Sequence, residues 1–181
     1  MEKRRIYLAG DMLNRGSQLQ RAEEAKQISE MGHEFYNPQD NKEINDKANA
    51  NPEGLAERIV KHDTNAILWS DTVILEPLAH AIGTNIELGQ IKGMRDIAQQ
   101  VLDIIKDKGV DNAVFLTKIV ELCEKQVDRE VFVHYQDIRR QGQTETGDRR
   151  SLGLHQYMYG VTLDLTEGRG IQEWDEIKNS L

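Results

Sequence analysis

Several common features are scarce in this chain of 181 residues. There is one cysteine, Cys123, so no disulfide forms within the chain, and the usage suits a reducing, cytoplasmic setting. Only 3 prolines are present, and no linker, repeat or low-complexity tract interrupts the sequence, so one domain is the simplest reading. Basic residues are in deficit, 23 against 31 acidic, for a formal charge of −8. Domains that bind nucleic acid usually carry a basic face, so no DNA or RNA partner is expected. A small anionic ligand would need only a local positive pocket. Long apolar runs are missing too. The charged N-terminus is followed only by the short stretch Ile6 to Gly10, far below the length of a membrane span. No HExxH, CxxC or paired-histidine spacing occurs, and no metal is expected. Gly10 and Gly16-Ser17 lack the spacing and lysine of a phosphate-binding loop, there is no G-x-G-x-x-G, and no serine has nucleophile-elbow context, so no cofactor is expected either.

What is present is an ordinary globular composition, 38% apolar and 30% charged. Ile6 to Gly10 reads as a buried first strand. Leu19, Ala22, Ala25 and Ile28 recur at helical spacing in a helix from Arg15 to Met31, which Gly32 ends. His33 to Pro38 reads as a second strand, and residues 39 to 53 as an exposed polar loop. A helix from Pro52 to Trp69 and a third strand, Thr72 to Leu75, follow. This alternation predicts an α/β fold with a parallel sheet, right-handed crossovers and strand one between strands two and three. A helix from Thr84 to Lys108 and another from Asn112 to Lys125 then precede a fourth strand, Arg129 to Tyr135. The pair carries more apolar surface than a small sheet needs, which predicts a homo-oligomer contact. A polar loop from Arg139 to Arg150, a helix from Leu152 to Leu165 and a short helix after Gly170 complete the chain.

Ligands of open parallel sheets bind beyond the carboxyl ends of the strands. Gly10, Asp11, Met12 and Arg15 follow strand one, and the segment with His80 and Gly83 follows strand three, so these are candidate binding residues. Asp11 also reads as a turn or cap residue, Arg15 as a solvated cation and His80 as a loop histidine. Glu87 admits two readings. Thr84-Asn85-Ile86-Glu87 fits a capping box, with Thr84 as N-cap. Alternatively, an ionised carboxylate on a first helical turn beyond strand three can attack an anomeric carbon, with Gly83 and Gly89 leaving room for a ligand or another backbone. Asp63 projects from the apolar side of its helix, either as a helix-edge carboxylate or as part of a site. Tyr7 lies in the first strand with its hydroxyl in need of a partner, which an ionised Glu would supply.

Tyr7-Leu8-Ala9-Gly10, Gly32-His33-Glu34 through Pro38, His62-Asp63 through Ile67 with Ser70 to Leu75, and Gly83-Thr84-Asn85-Ile86-Glu87-Leu88-Gly89 occur in that order. Together they resemble the opening strand, second strand, Asp-bearing helix and G-T-x-x-E-L-G motif of the nucleoside 2-deoxyribosyltransferase family, and Tyr135 to Arg139 resembles its later D-x-R strand end. The resemblance implies a flavodoxin-like sheet of order 2-1-3-4(-5), a homodimer or homotetramer and a role in nucleoside salvage. It further implies that Glu87 attacks C1′ of a 2′-deoxynucleoside, that Tyr7 orients Glu87, and that Asp63 holds a sugar hydroxyl. Free base and deoxynucleoside or deoxynucleotide would be the partners. Hydrolysis of deoxynucleosides or their 5′-monophosphates, as in a related N-glycosidase branch, is the alternative reaction, and a non-catalytic nucleotide-binding module a third reading. Three features depart from the family pattern. Ala81 stands where many members carry an Asp, six residues before the Glu. The stretch His155 to Gly160 lacks the family's Asn. An extra helical insertion spans Asp96 to Asp128.

Overall fold

The computed structural model describes residues 3–46, 55–108, 113–134 and 156–181. Five parallel strands form the sheet: β1 (Arg5–Ala9), β2 (Glu34–Tyr36), β3 (Thr72–Leu75), β4 (Glu130–His134) and β5 (Ile171–Gln172). Their order is β2-β1-β3-β4-β5, an α/β sheet of the flavodoxin-like kind. The register sets Tyr7 beside Tyr36 on one side and beside Val73 on the other. The inner strands are apolar at nearly every position because helices cover both faces. Tyr7, Ala9, Val73, Leu75, Val131 and Val133 point into one core, and Ile6, Leu8, Ile74 and Phe132 into the other.

The helices are α1 (Arg15–Glu30), α2 (Lys42–Asn45), α3 (Leu55–Trp69), α4 (Ile82–Lys108), α5 (Ala113–Val127), α6 (Gln156–Leu165) and α7 (Trp174–Ser180). Asn14 caps α1, its side chain accepting from the Ser17 amide, and Gly32 after it sits at a φ of 85°, a left-handed conformation that favours glycine. The far half of α4 packs on α5 around Ala98, Leu102 and Cys123, a core of its own away from the sheet. Among the described residues no helix is long and apolar enough to cross a membrane.

Four expectations need correction. The buried face of α1 keeps Ala25 and Ile28 but is otherwise Ser17, Arg21 and Glu24, while Leu19 is 55% exposed and Ala22 is exposed too. The stretch after Pro38 is not simply an exposed loop. Pro38–Asp40 forms a 3-10 turn and α2 follows, with Ile44 fully buried. The chain after Gly170 first adds β5 to the sheet edge, and α7 starts only at Trp174, where Glu173 and Glu176 make a reciprocal capping box. Lastly, α4 starts at Ile82, so Thr84 lies inside its first turn and is not the N-cap. The segment Tyr135 to Arg139 and His155 lie outside the described residues.

Candidate active site

β1 delivers Tyr7 to the site. Its ring is wholly buried, and its hydroxyl donates to Glu87 Oε1 at 2.7 Å. Glu87 therefore faces β1 and does not reach back along its own helix, so the capping-box reading fails in geometry as well as in register. Burial pushes the Glu87 carboxyl up to about 7, the Tyr7 hydrogen bond pulls it back, and the nearby charge of Asp63 pushes it further up. Burial next to Glu87 and Asp63 raises the Tyr7 phenol far above its ordinary value, so it stays a donor.

The register that pairs Tyr7 with Tyr36 also stacks their rings, with centroids 5.9 Å apart and planes 12° from parallel. The Tyr36 hydroxyl accepts from Asn41 Nδ2 at 2.9 Å and turns toward Asp63 Oδ1 at 3.4 Å, a long donor–acceptor distance. Burial pushes the Asp63 carboxyl up to about 6, with Tyr36 and His62 opposing. Two carboxylates from α3 and α4 thus meet two stacked phenols from the sheet. Tyr36 and Asn41 were missed in the sequence. A tyrosine in a short strand looks like core, and the signal was the helical cap of Asn37-Pro38, which folds residues 39–45 back over the strand ends.

The two carboxylates open into a crevice of about 310 Å³ beyond the carboxyl ends of β1 and β3. That is enough for a small ligand. Gly10, Asp11, Met12, His80, Gly83, Asp63 and Glu87 all border it, with Ala81 buried in its wall. Arg15 does not border it and is exposed. Among the described residues no lysine or arginine lines this crevice. Burial opposes ionisation of Asp11, but hydrogen bonds from Ser17 and the Leu13 amide hold its carboxyl below the usual range. At Gly83 and Gly89 a Cβ would meet nothing within 4 Å, so no backbone approaches either. Gly10 is different. A Cβ there would lie 2.6 Å from Arg21 Nη1.

Arg21 belongs to a buried charged cluster behind the crevice floor. Its Nη1 donates to the Ala9 carbonyl at 3.3 Å, and its Nη2 lies 2.7 Å from Glu24, 3.0 Å from Glu76 and 3.3 Å from His134 Nε2. All four side chains are at most 4% exposed. Burial pushes Glu24 up to about 7 against the pull of Arg21, and burial and Arg21 together push His134 well below its ordinary value. Among the described residues no group of three or more His, Cys, Asp or Glu side chains is placed to hold a metal ion.

The chain matches no family model and no curated protein. Among solved structures it is similar to a 2-deoxyribosyltransferase from the psychrotolerant bacterium Bacillus psychrosaccharolyticus, at 16% identity and a TM-score of 0.49, over 97% of this chain and 90% of that one.

Proposed function

We propose that the chain transfers 2-deoxyribose between nucleobases through a glycosyl ester on Glu87. The observation that carries this reading is the 2.7 Å hydrogen bond from buried Tyr7 to Glu87, whose side chain borders the crevice. A carboxylate that titrates near neutrality is ionised often enough to attack and is a good leaving group in the second step. Attack by Glu87 on C1′ expels the base with inversion. A second base displaces the ester with a second inversion, so the configuration is retained. The sugar gains oxocarbenium character on the way, and an adjacent carboxylate stabilises that charge before bonding. Asp63, half-buried and beside Tyr36, suits a sugar hydroxyl. The lack of a cationic lining among the described residues favours a neutral nucleoside over its 5′-monophosphate.

Incubation with deoxyinosine and adenine, followed by chromatography, tests the reading. Transfer yields deoxyadenosine and hypoxanthine, whereas hydrolysis yields free deoxyribose. Glu87→Gln should keep the fold and lose turnover by orders of magnitude, because an amide lacks the attacking charge. A 2′-fluoro-2′-deoxynucleoside should leave one added sugar on the peptide containing Glu87, because fluorine slows breakdown of the ester. Comparable activity in the Glu87→Gln chain would end the covalent mechanism. Inactivity of the unaltered chain on every deoxynucleoside and deoxynucleotide would leave the binding-module reading in its place.

A further inference from the structure

Resting on the glycosyl-transfer reading, we propose that His80, held over Asp11, delivers the proton that the departing base needs, with Asp11 as a positioning residue acting through it. Breaking the glycosidic bond leaves its electron pair on the base nitrogen, and a purine leaves far more readily when a proton neutralises that charge. Four titratable side chains border the crevice among the described residues: Asp11, Asp63, His80 and Glu87. Glu87 is committed to C1′. On the glycosyl-transfer reading Asp63, beside Tyr36, is taken by a sugar hydroxyl. Asp11 is held as a carboxylate and has no proton to give. His80 remains.

The geometry suits the task. The His80 side chain is 65% exposed at the crevice mouth, whereas the Asp11 side chain beneath it is 2% exposed. His80 Nε2 lies 3.6 Å from Asp11 Oδ2. At that distance the two make an ion-pair contact longer than a hydrogen bond, and the buried carboxylate keeps Nε2 turned toward itself, leaving Nδ1 as the nitrogen that can serve the base. Asp11 is itself fixed. Its Oδ1 accepts from the Leu13 amide at 3.2 Å, its Oδ2 is bonded by Asn14 Nδ2, and Asn14 Oδ1 accepts from the Ser17 amide at 2.9 Å at the start of α1. The orienting group is thus anchored to a helix end, while the histidine keeps the freedom to follow the base.

In the first step a Glu87 carboxylate oxygen bonds to C1′ and the glycosidic electron pair passes to the base. The proton moves from Nδ1 of the His80 imidazolium to the imidazole nitrogen of the purine ring. The base leaves neutral, and His80 is left neutral. In the second step an incoming base bonds to C1′ and gives its proton to His80 as the Glu87 ester bond breaks. Atoms and charge balance without a cofactor.

A substrate that needs no proton separates this role from mere binding. 7-Methyl-2′-deoxyguanosine already carries positive charge on its imidazole ring and leaves neutral without an acid. Replacing His80 by alanine should slow adenine release from 2′-deoxyadenosine by about 100-fold or more and slow 7-methylguanine release far less. Asp11→Asn should show the same selectivity to a smaller extent, a pattern that loosened loop structure would not give. His80 is exposed, so its removal should leave the fold and melting temperature as they were. Equal slowing on both substrates, or none on either, would overturn the proposal. If Glu87→Gln abolished release from both substrates while His80→Ala spared both, the transfer reading would stand and the dyad alone would fall. If the unaltered chain cleaved neither substrate, the dyad would fall, and if it cleaved no other deoxynucleoside either, the transfer reading would fall with it.

Discussion

The Tyr7→Phe substitution isolates one hydrogen bond. The phenyl ring keeps the core position and the stack on Tyr36, and only the hydroxyl 2.7 Å from Glu87 is lost. A hydrogen bond to a charged group contributes about 1.5–3 kcal/mol, so its loss should move the Glu87 titration up by about one to two pH units. The starting value is about 7, already high through burial. The attacking form is the anion, so transfer rises with pH and its acid limb reports this group. At pH 7 the ionised fraction would drop from about one half to between about one tenth and one hundredth, a loss of roughly 5- to 50-fold in kcat/KM. Most of that loss should return at alkaline pH. The assay is kcat/KM for base exchange from acid to alkaline pH for both chains. An acid limb that stays in place, with a uniform drop at every pH, would refute the assignment of Tyr7 to the ionisation of Glu87.

Four further outcomes can be measured. The folded value of Glu87, about 7, lies above that of an unfolded glutamate, so its stabilising share is complete in acid and lost as pH rises through 7. Glu87→Gln should therefore be more stable to chemical denaturation than the unaltered chain at pH 8, by on the order of 1–3 kcal/mol, with no difference at pH 4; a gap independent of pH would contradict this. Arg21→Ala strands two carboxylates in the interior and should cost about 3–5 kcal/mol in chemical denaturation. Gly10→Ala should cost about 1–3 kcal/mol because its Cβ would press on the same pinned guanidinium, and a change under ~0.5 kcal/mol in either would show that the cluster yields freely. Ile97, Ile104 and Leu122 are 62%, 56% and 61% exposed on α4 and α5, and we propose that they seat a second copy. Light scattering at micromolar concentration should give a dimer or tetramer, and Ile104→Glu should shift it toward monomer; a monomeric unaltered chain rejects the interface.

The sheet was legible in the sequence because its inner strands are short apolar runs between helical periods, and order alone then places β1 beside β2 and β3. The buried face of α1 was not. Arg21 and Glu24 look like solvated helix residues, and what draws them inward are Glu76 and His134, which lie 55 and 113 residues from Arg21 in sequence and meet it only once three strand ends converge. With those partners buried, Leu19 turns outward. β5 escaped notice because two residues show no periodicity. At the site, Asp63 stood out as a carboxylate on an apolar helix face, Tyr7 as a phenol in a buried strand and Glu87 as a carboxylate on a first helical turn beyond β3, whereas Tyr36 drew no attention until the β1–β2 register set it against Tyr7. Arg15 drew attention by charge alone, and the start of α1 turns it away from the crevice.

Glu87 and the exposed isoleucines Ile97 and Ile104 sit on one uninterrupted helix, α4, of 27 residues. Such a rod is roughly 40 Å long, and its two ends serve different tasks, one beside the sheet and one against α5. Its pitch ties them together by phase. Inserting or deleting one residue between Glu87 and Ile97 would change the length by only about 1.5 Å but would turn the outer hairpin by about 100° relative to the crevice. Changes by whole turns would leave both ends facing as they do. The outer hairpin is therefore free to diverge in composition but constrained in length, and natural variation in this helix should come in steps of about seven residues, two full turns.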